Sequence, residues 1–245
     1  GFAGKVRPLH GAQLLTNPRY PHLPRANSIL IGALEPPVPW EEIEEEAEPH
    51  LRPLNLPTRR VVLFGDETAD RMGGSLLARG FRPRTVRLLA HDADSVPVSP
   101  GPGAAVWVDP FRMPARYALR YRIAQEALGQ GVEAAESARL YMSRADVAWR
   151  RTAASFEGTT MAAAADLTRV GSLAEINTVE TAPEFRGRGL ASALVEFLVA
   201  AAIEGGAVGT YLVTPEEALE REFYAPLGFH RVGSLHSFQR SERTG

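Results

Sequence analysis

Val179-Glu180-Thr181-Ala182-Pro183-Glu184-Phe185-Arg186-Gly187-Arg188-Gly189-Leu190-Ala191 is the stretch that decides how this chain is read. A strand pattern runs into a glycine-rich turn, and the turn opens a helix. The first amides of a helix have no intrahelical acceptor. They point outward at the positive end of the helix dipole, where they suit a pyrophosphate. Glycine at 187 and 189 removes the Cβ atoms that would hold a ligand off. Arg186 and Arg188 bring positive charge to the same turn.

Downstream, Leu190, Leu194, Phe197, Leu198 and Ala201 form a helical apolar stripe that Gly205-Gly206 ends. Val208 to Val213 reads as a strand. Thr214-Pro215-Glu216-Glu217 reads as a capped helix start, with Glu217 completing a capping box. That helix stops before Pro226, and a last strand follows at His230 to Arg240. Upstream, Arg151 to Phe156, Thr159 to Thr168 and Leu173 to Thr181 read as an antiparallel meander. Helices are expected at Pro114 to Leu128 and Val132 to Val147, and a short strand at Ala105 to Val108. The fold class is α/β, with a mixed sheet.

Three readings of the glycine turn compete. A plain tight turn explains the glycines but not the paired arginines. A Rossmann loop is close in pattern, as Gly187-x-Gly189-x-x-Ser192, but a Rossmann loop follows the first strand of a parallel unit. Here the loop follows a meander, and the next strand ends in Leu212-Val213-Thr214 with no acid for a ribose. No GxxxxGK[ST] is present, which removes the P-loop.

The third reading is a resemblance. Arg186-Gly187-Arg188-Gly189-Leu190-Ala191 resembles the acyl-CoA-binding motif of the GNAT superfamily of N-acetyltransferases, Q/R-x-x-G-x-G/A. Thr181-Ala182-Pro183-Glu184-Phe185 is similar to the V-x-P-E-Y that precedes it, and Phe223-Tyr224-Ala225-Pro226-Leu227-Gly228-Phe229 resembles the later Y-x-x-x-G-F. The resemblance spans about Ala105 to Arg240. It implies a GNAT fold in the C-terminal lobe, with acetyl-CoA as co-substrate between two splayed parallel strands and no metal. Backbone groups of Val179 and Thr181 would bond the pantetheine arm, and amides of Gly187, Arg188, Gly189, Leu190 and Ala191 would hold the pyrophosphate beside Arg186. An N–H near Val179 would polarise the thioester carbonyl.

The resemblance also assigns the proton transfers. Tyr224 matches the family's general acid for the departing thiolate. Packing in the core is the other reading of Tyr224, although it points about 100° from the Leu219–Phe223 stripe. Glu175 is the candidate base. By simple alternation it shares a strand face with Asn177, Val179 and Thr181, with Glu180 opposite. An idle strand glutamate, Glu180 or bound water are the alternatives. Many family members carry an Asn where this chain has Glu216 and Glu217.

The run Ser95-Val96-Pro97-Val98-Ser99-Pro100-Gly101-Pro102-Gly103 reads as a linker, so residues 1–94, 95–103 and 104–245 are expected as lobe, linker and catalytic domain. The first lobe repeats the end of the same order: strand at Ser28 to Leu34, helix at Pro39 to Leu51, strand at Arg60 to Phe64, helix at Asp66 to Arg79, strand at Thr85 to Ala90. Leu76-Leu77-Ala78-Arg79-Gly80-Phe81 mirrors Phe223 to Phe229. Its counterpart of the glycine turn, Glu35-Pro36-Pro37-Val38-Pro39-Trp40-Glu41-Glu42, lacks glycine and is acidic. It is expected to be a degenerate GNAT-like lobe.

Composition narrows the partners. Lys and Arg number 27 against 29 Asp and Glu, a net charge of −2, which gives no case for nucleic acid or an anionic membrane. There is no cysteine, so disulfides, thiolate metal sites and a cysteine nucleophile are excluded. The six histidines show no ligand spacing. No apolar run spans a bilayer, and Gly1 to Arg19 lacks a signal-peptide core, so a cytoplasmic location is expected. No GxSxG is present for a serine hydrolase. The expected function is transfer of acetyl from acetyl-CoA to a small-molecule or peptide amine. The alternative is a non-catalytic CoA-binding regulatory module. Oligomeric state stays open.

Overall fold

The computed structural model describes residues 4–32, 38–92, 94, 105–129, 131–143, 150–215 and 219–241. Contacts divide the chain into two units: Phe2–Arg87 with Gly233–Gly245, and Leu88–Val232 with Gly1. The expected linker, residues 95–103, lies wholly outside the described residues.

The first unit begins with a hairpin that the sequence reading did not anticipate, β1 (Lys5–Leu9) and β2 (Ala12–Thr16). Leu9 pairs with Ala12 across His10-Gly11, where Gly11 takes a φ of 78° that glycine adopts without steric cost. β2 pairs antiparallel with β3 (Ser28–Ile31). Helix α1 (Trp40–Leu51) leads to β4 (Thr58–Phe64), parallel to β3. Then come α2 (Asp66–Ala78) and β5 (Arg82–Asp92), whose residues past Arg87 belong to the second unit. Trp40, Ile43, Ala47 and Leu51 recur at helical spacing and pack on Leu63, Leu76 and Phe81. Pro39 precedes α1 in extended backbone, so this helix start lacks the glycine geometry of its counterpart. Residues 33–37 of that turn lie outside the described residues.

In the second unit, β6 (Val106–Trp107) is followed by α3 (Met113–Leu128) and α4 (Val132–Ser143). The expected antiparallel meander is β7 (Arg150–Glu157), β8 (Thr160–Val170) and β9 (Leu173–Thr181). Helix α5 (Leu190–Glu204) then leads to β10 (Gly209–Thr214), parallel to β9. A π-helical turn, Leu219–Tyr224, precedes β11 (His230–Ser241). The capping box at Thr214 to Glu217 lies partly outside the described residues.

Ala162, Ala163, Ala164 and Ala165 in β8 are all fully buried, because both faces of the strand are covered. Ala163 and Ala165 join Leu194, Leu198 and Val199 of α5, whereas Ala164 packs with Leu119 of α3. The small side chains leave room for helices on both sides. At its C-terminus, α5 closes with Gly206 at φ 77°, and Arg169 donates to the Gly205 and Gly206 carbonyls, 2.9 Å each.

The order meander, helix, parallel strand, helix, strand occurs in both halves, more completely than the sequence suggests, because β1 and β2 complete the first copy. The sequence alone keeps Gly233 to Gly245 with the second lobe. The structure groups it with the first, because Leu235 to Ser241 pairs antiparallel with Phe64 to Thr58.

Leu194 is fully buried in the α5 core, so Leu194→Ala should destabilise the second unit by about 2–5 kcal/mol. Val208→Ala, at a site 63% exposed, should change stability by less than about 0.5 kcal/mol. Urea denaturation of both variants checks this, and equal effects would contradict the packing.

Candidate active site

β9 and β10 are bonded as parallel neighbours only at Thr210–Ala174 and Tyr211–Glu175. β9 continues to Thr181 and β10 to Thr214, so past those rungs the two strands run on without pairing. A separated parallel pair leaves backbone donors and acceptors facing a cleft, ready for an extended ligand. Ala182 N–H donates to Ala162 C=O at 2.8 Å. In an alternating antiparallel ladder the neighbouring pair, Ala163–Thr181, is then not bonded. The N–H and C=O of Thr181 therefore turn away from β8, toward the β10 side.

A β-bulge interrupts β9. Ala164 pairs with Glu180 and Asp166 with Asn177, so Thr178 and Val179 together oppose Ala165. Thr178 takes a φ of 53°, left-handed backbone that a β-branched residue rarely adopts. The bulge corrects the alternation expected from sequence, because one extra residue reverses the side-chain parity. Glu175 and Asn177 share the face of Glu180, toward α3. Val179 instead packs with Ile176 in the α5 cluster.

The glycine turn has the expected form. Pro183–Phe185 makes one 3-10 turn, Gly187 and Gly189 have φ of 73° and 76°, and Gly189 caps α5. No atom lies within 4 Å of a Cβ built on either glycine, so the outer side of the turn is open. The first bond back from the helix is Ala193 N–H to Gly189 C=O, 3.0 Å, and the amides before it are the unpaired set of a helix start.

Arg186 is less free than the sequence suggests. Its guanidinium forks onto both Glu126 carboxylate oxygens at 2.7 and 2.5 Å, and its Nε lies 3.3 Å from Thr181 C=O. Beside it Arg122 forks onto Glu184 at 2.8 and 2.5 Å. These guanidiniums hold the Glu126 and Glu184 carboxyls below the usual range. Two exposed ion pairs thus tie the turn to α3, and the charge of Arg186 is already matched. Arg188 donates to Glu184 C=O at 3.1 Å and lies over the Phe185 ring.

Tyr224 ends the π turn and is buried with Leu227, Phe229 and Leu190, its ring 4.8 Å from Phe223 and 5.9 Å from Phe229. Burial pushes its hydroxyl up to about 12. The phenol thus packs as a core residue of the α5 cluster. Glu175 is half-buried at the last bonded rung, opposite Tyr211, on the other strand face from Ile176. The structure thus sets Tyr224 in the cluster of Ile176 and Val179, and turns Glu175 toward α3.

The sequence reading missed a buried ionic network behind the bulge. Arg116 is fully buried and donates to Tyr141 Oη at 2.8 Å, Glu180 at 2.7 Å and Thr178 C=O at 3.0 Å. Arg120 pairs with the other Glu180 oxygen. Asp166 accepts from Tyr141 at 2.8 Å, Thr152 at 2.6 Å and Arg150 at 3.1 Å. Burial disfavours the Arg116 charge, but Asp166, Tyr141 and Glu180 outweigh it and hold its pKa above the ordinary arginine value. Glu180, gripped by two guanidiniums, is poorly placed to act as a base. The available signal was Arg116 and Arg120, four apart in a helix whose buried positions include Leu119 and Ala124.

Among the described residues no group of three or more potential ligands is set to hold a metal, and no helix is long and apolar enough to cross a membrane.

Residues 120–229 match the sequence model of the acetyltransferase (GNAT) family. No curated protein sequence matches the chain. Among solved structures, a conserved protein of unknown function from Staphylococcus epidermidis superposes with a TM-score of 0.76 at 11% identity, covering 99% of this chain and 96% of its own. A GCN5-related N-acetyltransferase from Sphaerobacter thermophilus gives 0.67 at 16% identity, covering 96% and 78%. A tandem GNAT protein from the clavulanic acid biosynthesis pathway gives 0.59 at 15% identity, covering 96% and 79%. At these identities the likeness is one of fold, and it extends over both halves of the chain. The motifs and the split parallel pair fall within the matched segment, and residues 120–229 form a domain of the acetyltransferase (GNAT) family.

Proposed function

We propose that the chain is an N-acetyltransferase that moves an acetyl group from acetyl-CoA to an amine by direct attack. The observation that carries this reading is the parallel pair β9–β10, bonded at two rungs and then separated, with the glycine turn at the end of β9. In this reading the amides of Gly187 to Ala191 hold the pyrophosphate, and the outward-turned backbone of Thr181 bonds the pantetheine arm. The Val179 N–H, within the bulge, receives the thioester oxygen as charge builds on it.

Attack requires a neutral amine, since an ammonium has no lone pair to offer. Glu175 or a water it orients accepts the proton, from the α3 side of the sheet. As the C–S bond breaks, the thiolate leaves toward Tyr224. A phenol near 12 cannot pass its proton fully to a thiol of pKa about 8.5 without an uphill step on the order of 5 kcal/mol. Tyr224 therefore acts by donating a hydrogen bond to the sulfur, and water completes the protonation. The cytoplasm, with its acetyl-CoA, is the compartment this chemistry suits.

The burial and raised pKa of Tyr224 also favour a second reading, a CoA-binding module without turnover. Thiol release from acetyl-CoA across a panel of amines separates the two. Acceptor-dependent release supports the enzyme, and tight CoA binding without release supports the module.

Tyr224→Phe should lower kcat by about 10²-fold or more, with little change in acyl-CoA affinity. Full activity in that variant would remove Tyr224 from the chemistry. Gly189→Glu should abolish acyl-CoA binding by setting bulk and negative charge on the amides of α5. Unchanged affinity by calorimetry would show that the turn does not bind the diphosphate. Because Tyr224 stays protonated, kcat/KM should climb as the amine loses its proton, with no tyrosine-linked fall below about pH 11. A descending limb near pH 9 that disappears in Tyr224→Phe would contradict the assignment.

A further inference from the structure

Thr178 holds a left-handed backbone conformation that its branched side chain disfavours. Such a conformation persists only where the surroundings over-determine it. One restraint is local: Thr178 Oγ1 donates to Asn177 Oδ1 at 2.9 Å, and Asn177 Nδ2 lies 3.3 Å from Thr168 Oγ1. The other comes from α3. Arg116 Nη2 donates to the Thr178 carbonyl at 3.0 Å, while its Nε and Nη1 are fixed by Tyr141 and Glu180 at 2.8 and 2.7 Å. The guanidinium is planar and fully buried, so its third contact has a set direction.

The carbonyl of Thr178 and the N–H of Val179 belong to one peptide unit. In a trans peptide they point in opposite directions within one plane. Whatever orients the carbonyl therefore orients the N–H. A cationic donor on the carbonyl also polarises the amide and strengthens its N–H as a donor.

We infer that Arg116 is a positioning residue for the oxyanion site: by holding the Thr178 carbonyl from behind, it aims and strengthens the Val179 N–H that receives the thioester oxygen. This rests on the acetyltransfer reading above. When the amine nitrogen bonds to the carbonyl carbon, the C=O π pair moves onto oxygen. The negative charge then meets an amide already pulled by a buried cation on its far side. Arg116 touches neither substrate. It acts through the peptide, and Tyr141 keeps it in place.

Two variants test this. Arg116→Lys keeps a charge but cannot reach Tyr141, Glu180 and Thr178 together. Tyr141→Phe removes one restraint on the guanidinium without stranding a charge. The first readout is binding of CoA itself, which has no thioester carbonyl. The second is kcat with saturating acetyl-CoA. The third is the carbon-13 shift of the ketone in an acetyl-CoA analogue with CH₂ in place of sulfur, which moves downfield when the oxygen accepts a stronger hydrogen bond.

Arg116→Lys should bind CoA within about 2-fold of the parent, lose about 10-fold or more in kcat, and lose at least about half of the downfield shift. Tyr141→Phe should fall between the two. If Arg116→Lys keeps the shift and kcat, or if it loses CoA binding while Tyr141→Phe keeps both the shift and kcat in full, Arg116 is a fold residue and the inference is overturned. If the parent protein itself shows no acyl-CoA binding and no shift, the acetyltransfer reading has failed first.

Discussion

Two parallel strands cannot stay bonded along their whole length and also receive a third extended chain between them. β9 and β10 resolve this conflict by bonding at Thr210–Ala174 and Tyr211–Glu175 and then separating. The bulge at Thr178, the outward backbone of Thr181, the glycine turn and the start of α5 all sit on the separated side of those rungs. The separation leaves polar backbone unsatisfied by the sheet, and that is expensive unless water or a ligand meets it.

The bulge links the cleft backbone to burial on α3. It reverses side-chain parity, which sends Glu180 into the guanidiniums of Arg116 and Arg120 and turns Val179 to the α5 core. A regular strand would place Glu180 and Val179 the other way round, with a carboxylate among the α5 leucines. A buried ion network is weak evidence for stability, because desolvation of each charge opposes the pairing. Here it ties the irregular backbone of β9 to helix α3. The exposed pairs Arg122–Glu184 and Arg186–Glu126 tie the same helix to the glycine turn, but as surface pairs they contribute little and weaken in salt.

Much of this was legible in the sequence. The meander, the α5 stripe and the glycine turn follow from periodicity and from residues with one conformational use, and β9 appears with the bounds expected for it. The bulge was not legible, because nothing in Asn177-Thr178-Val179 marks an extra residue, and Thr178 carries the wrong side chain for positive φ. The placement of Glu175 relative to Val179 failed with it. The charge state of the turn was also hidden, since Arg186 looks free until Glu126, sixty positions earlier, is placed beside it. The Lys5–Thr16 hairpin was overlooked although Val6, Leu9, Leu14 and the turn glycine at 11 are ordinary signals.

The placement of Leu235 to Ser241 bears on how the chain is made. The sheet of the first unit includes these residues, paired along the full length of β4, although nearly the whole of the other unit is synthesised between them. A ribosome delivering the chain in order leaves the edge of β4 open until the last strand emerges. During that interval the exposed edge is a template for another polypeptide's strand. Shielding of that edge, by a chaperone or by rapid synthesis of the intervening residues, would shorten the interval in which such pairing can occur.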